Sequence, residues 1–159
     1  MKTYISNSEN DTKNIAGKLA SSLHSGDIIV LSGDLGSGKT KFTEGFLSHF
    51  GLENEISSPT FTIVNEYYTN ELNIYHFDVY RLSSPDEFYA IGGEQYFENG
   101  ICLIEWGEQI KEALPKEYLH ITFNRDFEED SKRILNIEAH GEKYEKIIKD
   151  LVWKTNIHC

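Results

Sequence analysis

Eight residues, Gly33-Asp34-Leu35-Gly36-Ser37-Gly38-Lys39-Thr40, constrain this chain more than any other segment. They follow Asp27–Ser32, where four aliphatics run without alternation, as in a strand buried on both faces. They precede a stretch in which Phe42, Phe46 and Leu47 recur at helical spacing until Gly51. A glycine-rich turn between a buried strand and a helix start is built for anions. The glycines allow positive φ, several amides converge on one point, and the helix adds its N-terminal partial positive charge. The spacing GxxxxGK[ST] assigns Lys39 to the β- and γ-phosphates of a nucleotide and the Thr40 hydroxyl to Mg²⁺. No NKxD segment for reading guanine is present, so the expected nucleotide is ATP.

The rest of the chain reads as an α/β protein. Cap-type side chains at Asn10-Asp11-Thr12 precede Ile15, Ala16, Leu19, Ala20 and Leu23 at helical spacing, stopped by Ser25-Gly26. Phe61–Tyr68 and Leu72–Tyr80 form a hairpin around Thr69-Asn70-Glu71. Ser84-Pro85-Asp86-Glu87 combines a capping box with Pro at the first helical position, and Gly92-Gly93 interrupts the helix it starts. Ile101–Trp106 is a second buried strand, Tyr118–Asn124 and Ile134–Ala139 a second strand pair, and Glu142–Trp153 a last helix. This order predicts a three-layer sandwich of the P-loop NTPase kind, with a mixed sheet whose parallel centre carries antiparallel hairpin additions. With 159 residues, one domain over 1–159 is expected.

Two apolar runs end in a carboxylate, at Asp78 and at Glu105. The metal-binding acid of such a site stands at the end of a strand beside the strand that feeds the phosphate loop. Spacing does not choose between them. Ile101–Ile104 has the unbroken apolar character of a central strand, whereas Leu72–Tyr80 alternates like a hairpin arm, which favours Glu105 for Mg²⁺. Asp78 is then a candidate for orienting the attacking water or for the outer metal shell. Thr60 is a candidate γ-phosphate sensor, with Pro59 stiffening its approach; a plain loop is the alternative. Arg81 offers charge neutralisation or a surface ion pair. Trp106 either stacks near the site or closes the core, and His76 is expected to be structural. Tyr67, Tyr68, Tyr75 and Tyr80 cover the sheet or, where exposed, present a surface to a partner.

A formal net charge of -11 opposes direct capture of nucleic acid, which rests on basic contacts to phosphate. No run approaches the ~18 apolar residues of a membrane span. Cys102 and Cys159 show neither metal nor disulfide spacing, so a reducing cytoplasm is expected.

GDLGSGKT at Gly33–Thr40, SPTF at Ser58–Phe61, HFDVYR at His76–Arg81 and IEW at Ile104–Trp106, in that order, resemble the bacterial TsaE family. The resemblance implies an ATPase of tRNA threonylcarbamoyladenosine synthesis that works with TsaD and TsaB, and meets tRNA through those partners. It also implies catalytic weight on Lys39, Asp78 and Glu105, and Mg²⁺ on Thr40 and Glu105. Trp106 becomes the aromatic beside the metal ligand, and Thr12 and Arg133 become flanks of the nucleotide. Two other readings of the phosphate loop are a small-molecule kinase and a nucleotide-dependent switch with negligible turnover. The chain's three arginines fit the kinase poorly.

Overall fold

The computed structural model describes residues 2–34, 37–55, 63–126, 128–152 and 157–158. Its centre is one eight-stranded sheet in the order β3-β4-β5-β2-β6-β7-β1-β8. The strands are β1 (Lys2–Ser6), β2 (Ile28–Ser32), β3 (Val64–Tyr68), β4 (Asn73–Asp78), β5 (Ile101–Glu105), β6 (Tyr118–Arg125), β7 (Arg133–His140) and β8 (Ile157–His158). β4, β5, β2 and β6 run parallel; β3 joins one side antiparallel, and β7, β1 and β8 extend the other side antiparallel.

The side-chain period of two sorts the central strands onto two cores. Ile29, Leu31, Leu103 and Leu119 face α1 (Glu9–Ala20), α2 (Lys39–His49) and α4 (Glu142–Val152), packing on Ile15, Leu19, Phe42, Phe46, Tyr144 and Ile148. Ile28, Val30, Cys102, Ile104 and Phe77 face the other way, onto Phe88 of α3 (Pro85–Ala90) and onto Phe97 and Ile110 of two 3-10 turns, Gly93–Glu98 and Gly107–Ala113. The result is a three-layer α/β sandwich, as expected. α4 is tied to the start of β2 by Tyr144, whose hydroxyl accepts the Ile28 N–H at 2.9 Å and donates to the buried Asp27.

Several local expectations are corrected. The first helix is capped by Ser8, whose side chain accepts the Asp11 N–H at 3.1 Å, and it ends at Ala20, short of Ser25. Asp11 is drawn inside because its carboxylate accepts the Asn7 N–H and suits the positive end of the helix. Ser84 makes no side-chain cap bond; Glu87 instead accepts from the Ser83 amide and hydroxyl, which lowers its pKa. β4 is more than a hairpin arm. It pairs with β3 on one side and with β5 on the other, so Ile74 through Phe77 are all buried. The strands β1 and β8 were not expected. Among the described residues no helix is long and apolar enough to cross a membrane.

Candidate functional site

The carboxyl ends of β4 and β5, the amino end of β7 and the amino ends of α1 and α2 meet at a cleft of about 680 Å³. Its walls include Thr12, Gly38, Lys39, Thr40, Asp78, Glu105, Trp106 and Arg133, all anticipated from sequence. They also include Ser8, Glu9, Asn10, Lys41, Asp130 and Ser131, which no motif announced. Gly33, Asp34 and Ser37 belong to the turn into α2 and are not among the lining residues. Leu35, Gly36 and Thr60 lie outside the described residues. Arg81 is exposed and does not line the cleft.

Backbone geometry explains the glycines at both ends of the turn. Gly33 has φ 139°, and a Cβ there would meet the Phe123 carbonyl at 2.6 Å. Gly38 is the N-cap of α2 at φ 113°, and with no side chain it leaves the first amides of the helix uncapped. Ser37 Oγ, buried, has no hydrogen-bond partner among the described residues. Lys39 opens α2 only 6% exposed, a position where an ammonium group needs a counter-charge. Its Nζ lies 3.9 Å from Glu105 Oε1 and 4.3 Å from the centre of the Trp106 ring. An uncapped helix start, an orphan hydroxyl and a buried ammonium group together fit the phosphate chain of a nucleotide.

Glu105 closes β5, the strand hydrogen-bonded directly to β2. Besides Lys39 it meets His76, whose Nε2 lies 2.7 Å from Glu105 Oε2. Burial raises the Glu105 pKa, but the hydrogen bond and charge of His76, with Lys39 behind them, outweigh it and hold the carboxyl below its usual value. It is therefore an anion at neutral pH, and it lines the same cleft as Thr40; a carboxylate and a hydroxyl are oxygen donors of the kind that could hold Mg²⁺. His76 is buried, and its Nδ1 finds no partner among the described residues. His76, expected to be structural, thus touches the acid of the site.

Asp78 is the register partner of Glu105. Its Oδ1 accepts the Tyr80 N–H at 3.0 Å, and the side chain lines the cleft without an ion pair among the described residues. Trp106 follows Glu105 at φ 63°, a left-handed conformation that costs a non-glycine residue about 1–2 kcal/mol. That turn carries the indole against Lys39 on one side and Tyr80, at 5.0 Å between ring centres, on the other. Of the four hairpin tyrosines, Tyr67 and Tyr75 are buried, whereas Tyr68 and Tyr80 are 61% and 58% exposed. Thr12 is buried beside Ser6, and the two hydroxyls are 2.6 Å apart. Arg133 approaches the same wall from β7 and donates to the Asp130 and Lys132 carbonyls.

The family model for threonylcarbamoyl adenosine biosynthesis protein TsaE matches residues 6–135. The chain belongs to the TsaE family. The match runs from the end of β1 into β7 and so includes every residue named above as lining the cleft. Among TsaE relatives, the tRNA threonylcarbamoyladenosine biosynthesis protein TsaE of Bacillus subtilis is 42% identical over 148 residues, 92% of this chain and 91% of that one. The protein of the same name from Rickettsia felis is 42% identical over 134 residues, 84% and 77% of the two chains. A crystal structure of Bacillus subtilis YdiB superposes with a TM-score of 0.79 at 36% identity, covering 96% of this chain and 97% of that one.

Proposed function

We propose that this TsaE chain binds ATP with Mg²⁺ in the cleft, hydrolyses it, and serves as the accessory ATPase of the TsaD–TsaB complex. That complex adds the threonylcarbamoyl group to adenosine in tRNA, in the cytoplasm. The observation that carries the reading is the buried Lys39 ammonium at an uncapped helix start, with Glu105 opposite it. The names borne by the relatives, tRNA threonylcarbamoyladenosine biosynthesis proteins, support the pathway.

In this reading the amides of Gly33–Thr40 and the Lys39 ammonium bind the phosphates. Lys39 exchanges its contact with Glu105 for a phosphate oxygen, so substrate replaces an internal counter-charge with its own. Thr40 and Glu105 hold Mg²⁺, which when bound neutralises charge on the phosphate oxygens. His76 keeps the Glu105 carboxylate oriented and ionised. Asp78, free of ion pairs among the described residues and open to the cleft, orients the attacking water. Trp106 lays its ring against the Lys39 ammonium group and limits water around it. Thr12 and Arg133 flank the nucleoside, and Thr60 senses the γ-phosphate. The net charge of -11 supports contact with tRNA through partners only, and the exposed Tyr68 and Tyr80 are suited to a protein surface.

Phosphate release from Mg-ATP, measured alone and with TsaD and TsaB, together with a pull-down in ATP and then ADP, tests the reading. Turnover is expected to be low alone and higher with the partners, with nucleotide-dependent capture. Lys39→Ala removes charge-assisted hydrogen bonds of about 1.5–3 kcal/mol each, so ATP affinity falls by at least roughly tenfold and hydrolysis further. An unchanged dissociation constant in Lys39→Ala defeats the phosphate assignment. Transfer of label to an added metabolite would favour the kinase.

A further inference from the structure

Behind the cleft, on the other face of the sheet, lies a second group of chemically competent side chains. In the antiparallel ladder of β6 and β7, His120 stands opposite Glu138 and Tyr118 opposite His140. Tyr118 belongs to the core shared with Val30 and Ile110, so by the period of two all four residues project on the side away from α1 and α2. One ring nitrogen of each histidine and one Glu138 carboxylate oxygen lie within 4.8 Å of one another.

The rings are held from outside the trio. Ser32 Oγ is 2.7 Å from His120 Nε2 and donates to Glu108, whose Oε2 is itself 4.0 Å from that nitrogen. The Tyr118 ring stacks on His140 with centres 4.4 Å apart and planes 21° from parallel. Support of this kind is what metal-binding histidines require, because it sets ring orientation before an ion arrives. The function proposed above uses none of these residues.

We propose that His120, Glu138 and His140 form a binding site for a late first-row divalent ion such as Zn²⁺, separate from the nucleotide cleft. Two imidazoles and one carboxylate select that class. Mg²⁺ keeps to oxygen donors, whereas imidazole suits zinc, cobalt, nickel and copper. Three protein ligands with a water in the fourth position make the tetrahedral set such an ion takes, and Glu108 supports it from outside through Ser32. Ser32, which supports His120, directly precedes Gly33, so the site stands on the strand that feeds the glycine turn.

The test is titration of the full chain with Zn²⁺, without nucleotide or Mg²⁺, read by competition with a chromophoric chelator and by the absorption of Co²⁺ in its place. One equivalent is expected to bind, with a nitrogen- and oxygen-ligated Co²⁺ spectrum that persists in Cys159→Ser. His140→Gln and Glu138→Gln should each weaken Zn²⁺ by at least roughly tenfold while leaving ATP affinity unchanged. Glu138 is 52% exposed, so its substitution reads out ligation without a folding defect. Absence of stoichiometric uptake overturns the site. So does full affinity in the double variant His120→Asn/His140→Gln, or a thiolate charge-transfer band that vanishes in Cys159→Ser.

Discussion

The ends of β4 and β5 invite comparison, because each strand delivers a carboxylate to the same cleft and the two acids are register partners. Glu105 is enclosed, bonded to a buried histidine and facing a buried ammonium group. Asp78 accepts one backbone N–H, from Tyr80, and has no charged partner among the described residues. What separates them is which strand stands next to β2. β5 is hydrogen-bonded to it and brings Glu105 against the first residue of α2, while β4 lies one strand further out. A position at a strand end therefore does not assign a role; the neighbours around the carboxylate do. Glu105 is a prearranged anion, and Asp78 is an open acceptor that a water can reach.

The largest effect expected from breaking this contrast is in Glu105→Gln. If Glu105 carries the metal, turnover falls by roughly a hundredfold or more and the Mg²⁺ concentration for half-maximal activity rises. Asp78→Asn is expected to lower turnover by a smaller factor with the Mg²⁺ dependence in place. Steady-state hydrolysis across a Mg²⁺ series measures both, and the reverse ranking would exchange the two roles. His76→Ala comes next. It removes a hydrogen bond to a charged group, worth about 1.5–3 kcal/mol, so the Mg²⁺ dependence shifts roughly tenfold toward that of Glu105→Gln. His76→Gln, which keeps a donor, restores part of the loss; equal defects in Ala and Gln would reduce His76 to a packing residue.

The smallest effect is on stability in acid. The folded-state pKa of Glu105 is depressed, so its contribution is present above the unfolded value and is lost as pH falls through the folded one. Wild-type protein should thus shed stability below the ordinary carboxylate value of 4.5 that Glu105→Gln does not shed. Unfolding midpoints of the two proteins, compared over an acid series, read this directly. Parallel pH profiles would show that the carboxylate gains nothing from its neighbours.

The comparison also marks how far the sequence could be read. Unbroken apolar runs identified β2 and β5 because strands paired on both sides bury both faces. The same rule failed for β4, where His76 and the terminal Asp78 interrupt the apolar run although pairing with β5 buries it. β1 left no trace, since only Tyr4 and Ser6 of its five residues are buried, and its partner β7 follows more than 120 residues later. Lys39 and Thr40 were legible through local glycine chemistry. Ser8, Glu9, Asn10, Asp130 and Ser131 were not, because only the fold brings the start of α1 and the approach to β7 to one wall. The bond from His76 to Glu105 joins neighbouring strands and has no linear signature at all.

One contact gives the cleft its mechanical character. At Gly45 a side chain would collide with the main chain of Lys13, and Gly17 lies close by, so α1 and α2 cross backbone on backbone. Compliance between packed helices comes from side chains that change rotamer, and between Gly45 and Lys13 main chain meets main chain, with the Lys13–Glu44 ion pair beside it. Ser8 to Thr12 and Lys39 to Thr40 are thereby held like the two jaws of a caliper, their spacing set where the helices cross.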